Sequence, residues 1–101
     1  MSYFAAMEAE AKTTLLEAAR RGDETAFQKL MLDHRSSLRA HCYRLLGGEA
    51  DADDALQEAL VAAWQGLGGF ERRSTLRTWL FTIATHAYMS SAFARKRALS
   101  E

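Results

Sequence analysis

Wherever apolar residues are dense in this chain they recur at steps of three and four, and no segment alternates apolar with polar residues one by one. That period belongs to helices with one buried face. A short helix is predicted from about Thr13 to Arg21, with Leu15, Leu16 and Ala19 as its apolar side. A second runs from Asp23, whose carboxylate can cap it, to about Leu46, and Phe27, Leu30, Met31, Leu38, Cys42 and Leu45 form one stripe along it. A third begins near Asp51, another capping carboxylate, and ends by Gly66. Ser74 is a suitable cap for a fourth, which reaches about Ala98 with Leu76, Leu80, Ile83 and Ala87 as its buried stripe. All six glycines fall where the helical pattern breaks, and there is no proline. Residues 1–12 read as a polar or frayed lead-in, and residues 13–101 as a single helical domain. The predicted fold is all-α, a compact bundle of three to four helices, stabilised by packing because helices this short are marginal alone.

Length and composition narrow this picture. A chain of 101 residues buries roughly 60–70% of its unfolded surface, enough for one modest core without staples. Cys42 is the single cysteine, so no internal disulfide forms and a reducing compartment fits best. The first residues lack the cationic head and long apolar stretch of a secretory signal. The longest apolar run, Ala59 to Trp64, is too short to span a bilayer. A soluble, cytoplasmic protein without membrane contact is the expectation.

The formal net charge is zero, but it averages over unequal parts. Between Glu49 and Glu58 there are five carboxylates and no base, whereas Arg72 to Ser100 holds six bases and no acid. Charges separated in this way suit two surfaces with different partners, or ordinary helix ends complementing the helix dipole. In the third helix, Leu56, Ala59, Leu60, Ala63 and Leu67 cluster on one side, while Asp54, Gln57, Glu58, Val61 and Gln65 fall on the other. An acidic, amide-bearing face with a valine at its centre fits a docking surface for a basic partner helix, or a solvated face with one stray valine.

The stretch "GLGGFERRSTLRTW" gathers three glycines, two rings and three arginines. On the fourth helix, the side opposite the buried stripe carries Thr78, Thr82, Thr85 and Met89, flanked by His86 and Phe93. Hydroxyls that approach base edges, arginines that hold phosphates and a loosened loop with Phe70 would suit a single strand with a base swung out of its stack. Trp79 and Phe81 are equally suited to a core, and Phe70 to plugging the end of the bundle.

Three ordered motifs, "AHCYRLLG", "DADDALQEALVAAW" and "GLGGFERRSTLRTWLFTIAT", resemble the second conserved region of bacterial sigma factors of the sigma-70 family. The closest resemblance is to the extracytoplasmic-function group, and it covers roughly Arg21 to Arg97. The resemblance implies that the helix carrying the Asp-x-x-Gln-Glu pattern docks on the coiled coil of the RNA polymerase β′ subunit. Asp54, Gln57 and Glu58 are then core-binding positions, with Val61 and Trp64 nearby. It also implies that the following loop and helix hold the minus-ten promoter element as melted non-template strand, with a captured base. Phe70, Arg72, Arg73, Ser74 and Thr75 fall on the loop side of that site, and Arg77, Thr82, Thr85, His86 and Met89 on the helix side. His86 stands where the family usually has asparagine, and Ser90 where it usually has aspartate. Family members continue to a helix-turn-helix domain that reads the minus-35 element, so a chain ending at Glu101 is one domain of a longer protein or a natural short form.

Catalysis finds no support: there is no Gly-rich phosphate loop, no HExxH and no paired cysteines. His34 and His41, seven apart on the apolar stripe, would need a further ligand from His86 or a carboxylate to hold zinc and suit a core or interface better, and Cys42 has no visible activating neighbour. No cofactor, metal or catalytic residue is expected. The expected partners are RNA polymerase core and promoter DNA, with an anti-sigma factor as a further protein partner. Two other functions stay open: an interaction module sequestered by an anti-sigma partner without touching DNA, and a small helical enzyme with a convergent polar pocket.

Overall fold

A computed structural model describes the backbone of residues 3–71 and 73–100, and the side chains of Met7 and residues 10–71 and 73–89 together with it. Every regular element among the described residues is helical: α1 (Tyr3–Arg20), α2 (Glu24–Leu32), α3 (Arg35–Leu46), α4 (Glu49–Gly66), a 3-10 turn (Leu67–Gly69) and α5 (Leu76–Ser100). The all-α expectation therefore holds, although the elements divide differently. The chain divides into two compact units, Met1–His34 and Arg35–Glu101.

In the first unit α1 packs on α2. The first helix begins at Tyr3, well before the expected Thr13, so the supposed lead-in is part of α1. It ends in a Schellman motif. Gly22 takes φ +100°, a left-handed conformation that side chains resist, and its N–H reaches the Ala19 carbonyl while the Asp23 N–H reaches that of Ala18. Asp23 then turns to the next helix, and its carboxylate accepts from the Ala26 N–H at 3.1 Å. One residue thus closes α1 and opens α2. Leu16, Ala19, Ala26, Phe27, Leu30 and Met31 are buried.

The expected helix from Asp23 to Leu46 is two helices, interrupted at Asp33 and His34. The run Asp33-His34-Arg35-Ser36-Ser37 is rich in residues that compete with, or do little for, the helical backbone. Met31 and Leu38 lie seven apart, two helical turns, so the apolar stripe reads as continuous across a real break.

In the second unit α3, α4 and α5 pack pairwise on one another. Gly47 ends α3 at φ +76°, with its N–H on the Tyr43 carbonyl at 2.7 Å. The third expected helix begins at Glu49 behind Gly48, not at Asp51. The core takes Leu38 and Cys42 from α3, Ala52, Ala55, Leu56, Ala59 and Ala63 from α4, and Leu80 and Ala84 from α5. Alanines on α4 keep that helix thin, which lets its neighbours approach closely. On α5 the stripe is narrower than expected: Leu80 and Ala84 are buried, whereas Leu76, Ile83 and Ala87 are half-buried. Outside the core, Arg39 Nε donates to Asp53 Oδ1 at 2.7 Å and ties α3 to α4 at the surface. That hydrogen bond and the charge of Asp53 raise the guanidinium's pKa further above its ordinary value.

Candidate functional site

Two faces of the second unit carry the residues singled out by the sequence. On α4, Leu56, Ala59 and Ala63 point into the core and Leu60 is half-buried. The 100° step per residue then turns Asp54, Gln57, Glu58, Val61 and Gln65 outward, and all are exposed. Val61 is 54% exposed, an apolar centre within a polar and acidic surround. Trp64, expected at its border, is half-buried.

The segment between α4 and α5 differs most from expectation. Glycines 66, 68 and 69 do not make an open hinge; the chain tightens into a 3-10 turn with the Phe70 N–H on the Leu67 carbonyl at 3.1 Å. Leu67 is buried and Phe70 is only 4% exposed. The Phe70 ring lies tilted on Trp79, with centroids 5.1 Å apart. Trp79 in turn lies over Gly66, where an added Cβ would meet its Cζ2 at 3.7 Å. Phe70 is thus a core residue that closes the end of the helices, its ring set against Trp79 as in the plugging alternative and not open to solvent. A signal for this lay in the spacing. Leu56, Leu60, Ala63, Leu67 and Phe70 follow steps of four, three, four and three, so the stripe of α4 runs on through the glycines.

Past Phe70 the chain is exposed. Arg73 extends into solvent and pairs with Glu71 at 2.8 Å, a contact that water screens. Arg72 lies outside the described residues, as does the side chain of Phe93. The cap of α5 is Thr75, not Ser74: Thr75 Oγ1 accepts from the Thr78 N–H at 3.1 Å and donates to Thr78 Oγ1 at 3.0 Å. Ser74 is exposed and donates to the Thr75 carbonyl at 3.2 Å. Thr75, expected as a strand contact, thus already uses its hydroxyl to start the helix.

Along α5, Arg77, Thr82, His86 and Met89 are exposed, and Thr85 is half-buried. The hydroxyls of Thr82 and Thr85 donate to the carbonyls four residues earlier, Thr78 and Phe81, each at 3.0 Å. With those protons committed, both oxygens are left as acceptors, that of Thr82 at the exposed surface. Arg77 lies over the Phe81 ring, with Cζ 4.7 Å from its centroid, and its Nη1 donates to Ser37 Oγ at 3.4 Å.

His41, read from the sequence as a core or interface histidine rather than a zinc ligand, meets the α5 residues. Its ring stacks on Phe81 with centroids 4.9 Å apart and an interplanar angle of 23°, and its Nε2 is 3.0 Å from Thr85 Oγ1. Burial, and then the charge of Arg44, lower the pKa of His41 below its ordinary value of 6.5. The folded state thus prefers neutral His41, and below that ordinary value the unfolded chain binds the proton first. Stability from this group is complete above the ordinary value and is lost as pH falls through the lowered one. Urea midpoints from pH 8 to pH 5 should therefore fall more for the wild type than for His41→Gln, which does not titrate; parallel curves would contradict the shift. Cys42 is fully buried, and burial raises its thiol pKa, so it is set up as a core residue rather than a nucleophile. Among the described residues, no three His, Cys, Asp or Glu side chains stand together as a metal site requires, and no helix is long and apolar enough to cross a membrane.

Comparison with known proteins gives this arrangement a family. Residues 30–98 match the Sigma-70 region 2 model. Over 78 residues the chain is 44% identical to the ECF RNA polymerase sigma factor SigG of Mycobacterium tuberculosis, covering 77% of this chain and 20% of that protein. It is 34% identical over 83 residues to the RNA polymerase sigma-H factor of Pseudomonas aeruginosa, covering 82% of this chain and 43% of that one. An NMR structure of an engineered region 2 of sigmaE in complex with GTAAAA superposes with a TM-score of 0.81 at 27% identity, over 89% of this chain and 94% of that one. The chain belongs to the Sigma-70 region 2 family, and the extracytoplasmic-function type expected from its motifs is the type named among its relatives. It spans less than half the length of either of these two sigma factors.

Proposed function

We propose that this chain is the promoter-reading and polymerase-docking domain of a sigma factor. In this reading the outer face of α4, with Asp54, Gln57, Glu58 and Val61, docks on the β′ coiled coil of RNA polymerase core. Arg73, Ser74 and the exposed side of α5, with Arg77, Thr82, Thr85, His86 and Met89, hold the minus-ten element as melted non-template strand. Arg72 belongs with them by its place in the motif. Phe70 supports the strand site from beneath instead of stacking on a base. The work is done in the cytoplasm, where polymerase and promoter meet, and an anti-sigma factor would compete for one of the two faces.

The observation that carries this reading is the division of exposed chemistry within one small unit. The α4 face is acidic and centred on a valine, whereas the start of α5 combines arginines with hydroxyl acceptors and the positive end of a helix dipole. A phosphate can draw Arg73 away from Glu71 at little cost, because that exposed pair contributes little by itself. The sigmaE region 2 neighbour is itself a complex with GTAAAA.

Strand binding is tested by fluorescence anisotropy with labelled single-stranded GTAAAA across a salt series. If about five phosphates are neutralised, log Kd should change with log salt with a slope of roughly 3 to 4 in magnitude, binding weakening as salt rises. A flat response would remove the basic segment as the contact.

A further inference from the structure

We infer that His41, on α3 and outside the strand-binding face, is a positioning residue that sets Thr85, Phe81 and Arg77 in place for the strand. The inference rests on the strand-binding reading of α5 and adds a helix to it.

The geometry supplies the argument. The Thr85 hydroxyl has one proton, and that proton goes to the Phe81 carbonyl at 3.0 Å. His41 Nε2, 3.0 Å from the same oxygen, must therefore donate its own N–H. Two contacts now fix the Thr85 oxygen and leave it one lone pair, so it meets a ligand only as an acceptor. The His41 ring also stacks on Phe81, centroids 4.9 Å apart. The Arg77 guanidinium sits over that same Phe81 ring at 4.7 Å and is steadied by Ser37, one helical turn before His41. A free arginine loses rotamer freedom when it grips a phosphate. An arginine already laid on a ring that a second ring holds has lost part of that freedom beforehand. The contacts of His41 with Thr85 and Phe81, and of Ser37 with Arg77, join α3 to α5, and α3 contributes no residue to the strand face proposed above.

Two measurements on the intact chain test this. In the free protein, 15N relaxation of the Arg77 Nε–H should report an ordered guanidinium in the wild type and a mobile one in His41→Ala. In anisotropy titrations with GTAAAA, His41→Ala should weaken binding about five- to tenfold and reduce the salt slope by about 0.7, the share of one phosphate. Affinity for a β′ coiled-coil fragment should stay unchanged, which a general loss of structure would not allow. His41→Gln, whose side-chain amide can still donate to Thr85, should recover part of the affinity. His41→Phe keeps the ring without the donor and guards against a variant that fails to fold; it should keep the salt slope and lose affinity only through Thr85. An ordered Arg77 in His41→Ala, or a mobile one with wild-type affinity and slope, would overturn the inference. A wild type that binds no single strand at any salt would instead sink the strand-binding reading beneath it, before any substitution is made.

Discussion

Phe70→Ala should cost the protein about 3–5 kcal/mol of stability, the usual range for truncating a buried phenylalanine. For a domain of this size that corresponds to a fall in Tm of roughly 12 °C or more. The reason is its place: 4% exposed, against Trp79, at the point where α4 has ended and α5 has yet to begin. Truncation leaves a hole under Trp79 that the 3-10 turn cannot fill, since Gly68 and Gly69 have no side chains to offer. Phe70→Leu keeps most of the volume and should lose much less. The alternative is a ring that stacks on a base and carries no structure. It predicts the reverse: unchanged melting and a loss of roughly 1–3 kcal/mol in strand affinity. Thermal unfolding followed by circular dichroism separates the two, and a Tm within a few degrees of wild type would restore Phe70 to the strand site.

The helical class and the polarity of α4 were legible in the sequence because both depend on local period. The 100° step alone places Asp54, Gln57, Glu58 and Val61 on one side and Leu56, Ala59 and Ala63 on the other, and the structure has them so. What was not legible depends on contacts between segments. Asp33 and His34 break a helix across which the apolar stripe stays in phase, so periodicity could not register the break. Glycines suggested an open loop before Phe70, but the stripe of α4 continues through them and packing overrides their freedom. Ser74 and Thr75 are both good caps by composition, and the choice of Thr75 rests on backbone geometry. His41 needed its neighbours most of all. Nothing in "AHCYRLLG" announces that its ring meets Phe81 and its Nε2 meets Thr85, residues some forty positions away.

Reversing the charges of Asp54 and Glu58 should have the largest effect on partner binding. Both side chains are exposed, on the helix face that holds Val61. Facing a basic coiled coil, two lysines would replace attraction with like-charge contact, which costs several kcal/mol across an interface. With about 3 kcal/mol lost, Kd rises roughly 150-fold. Helical content should not change, because neither side chain supports the core and lysine is a good helix former.

The most direct test of the two-face account uses this variant with a second one, Arg73→Glu with Arg77→Glu, and titrates each against both partners. Reversal on α4 should weaken binding to a β′ coiled-coil fragment by roughly that 150-fold and leave affinity for single-stranded GTAAAA within about threefold, allowing for long-range charge. Reversal at the start of α5 should do the opposite. If either variant lost both partners equally while still folded, or if α4 reversal spared the coiled coil, the assignment of one face to protein and the other to DNA would be contradicted.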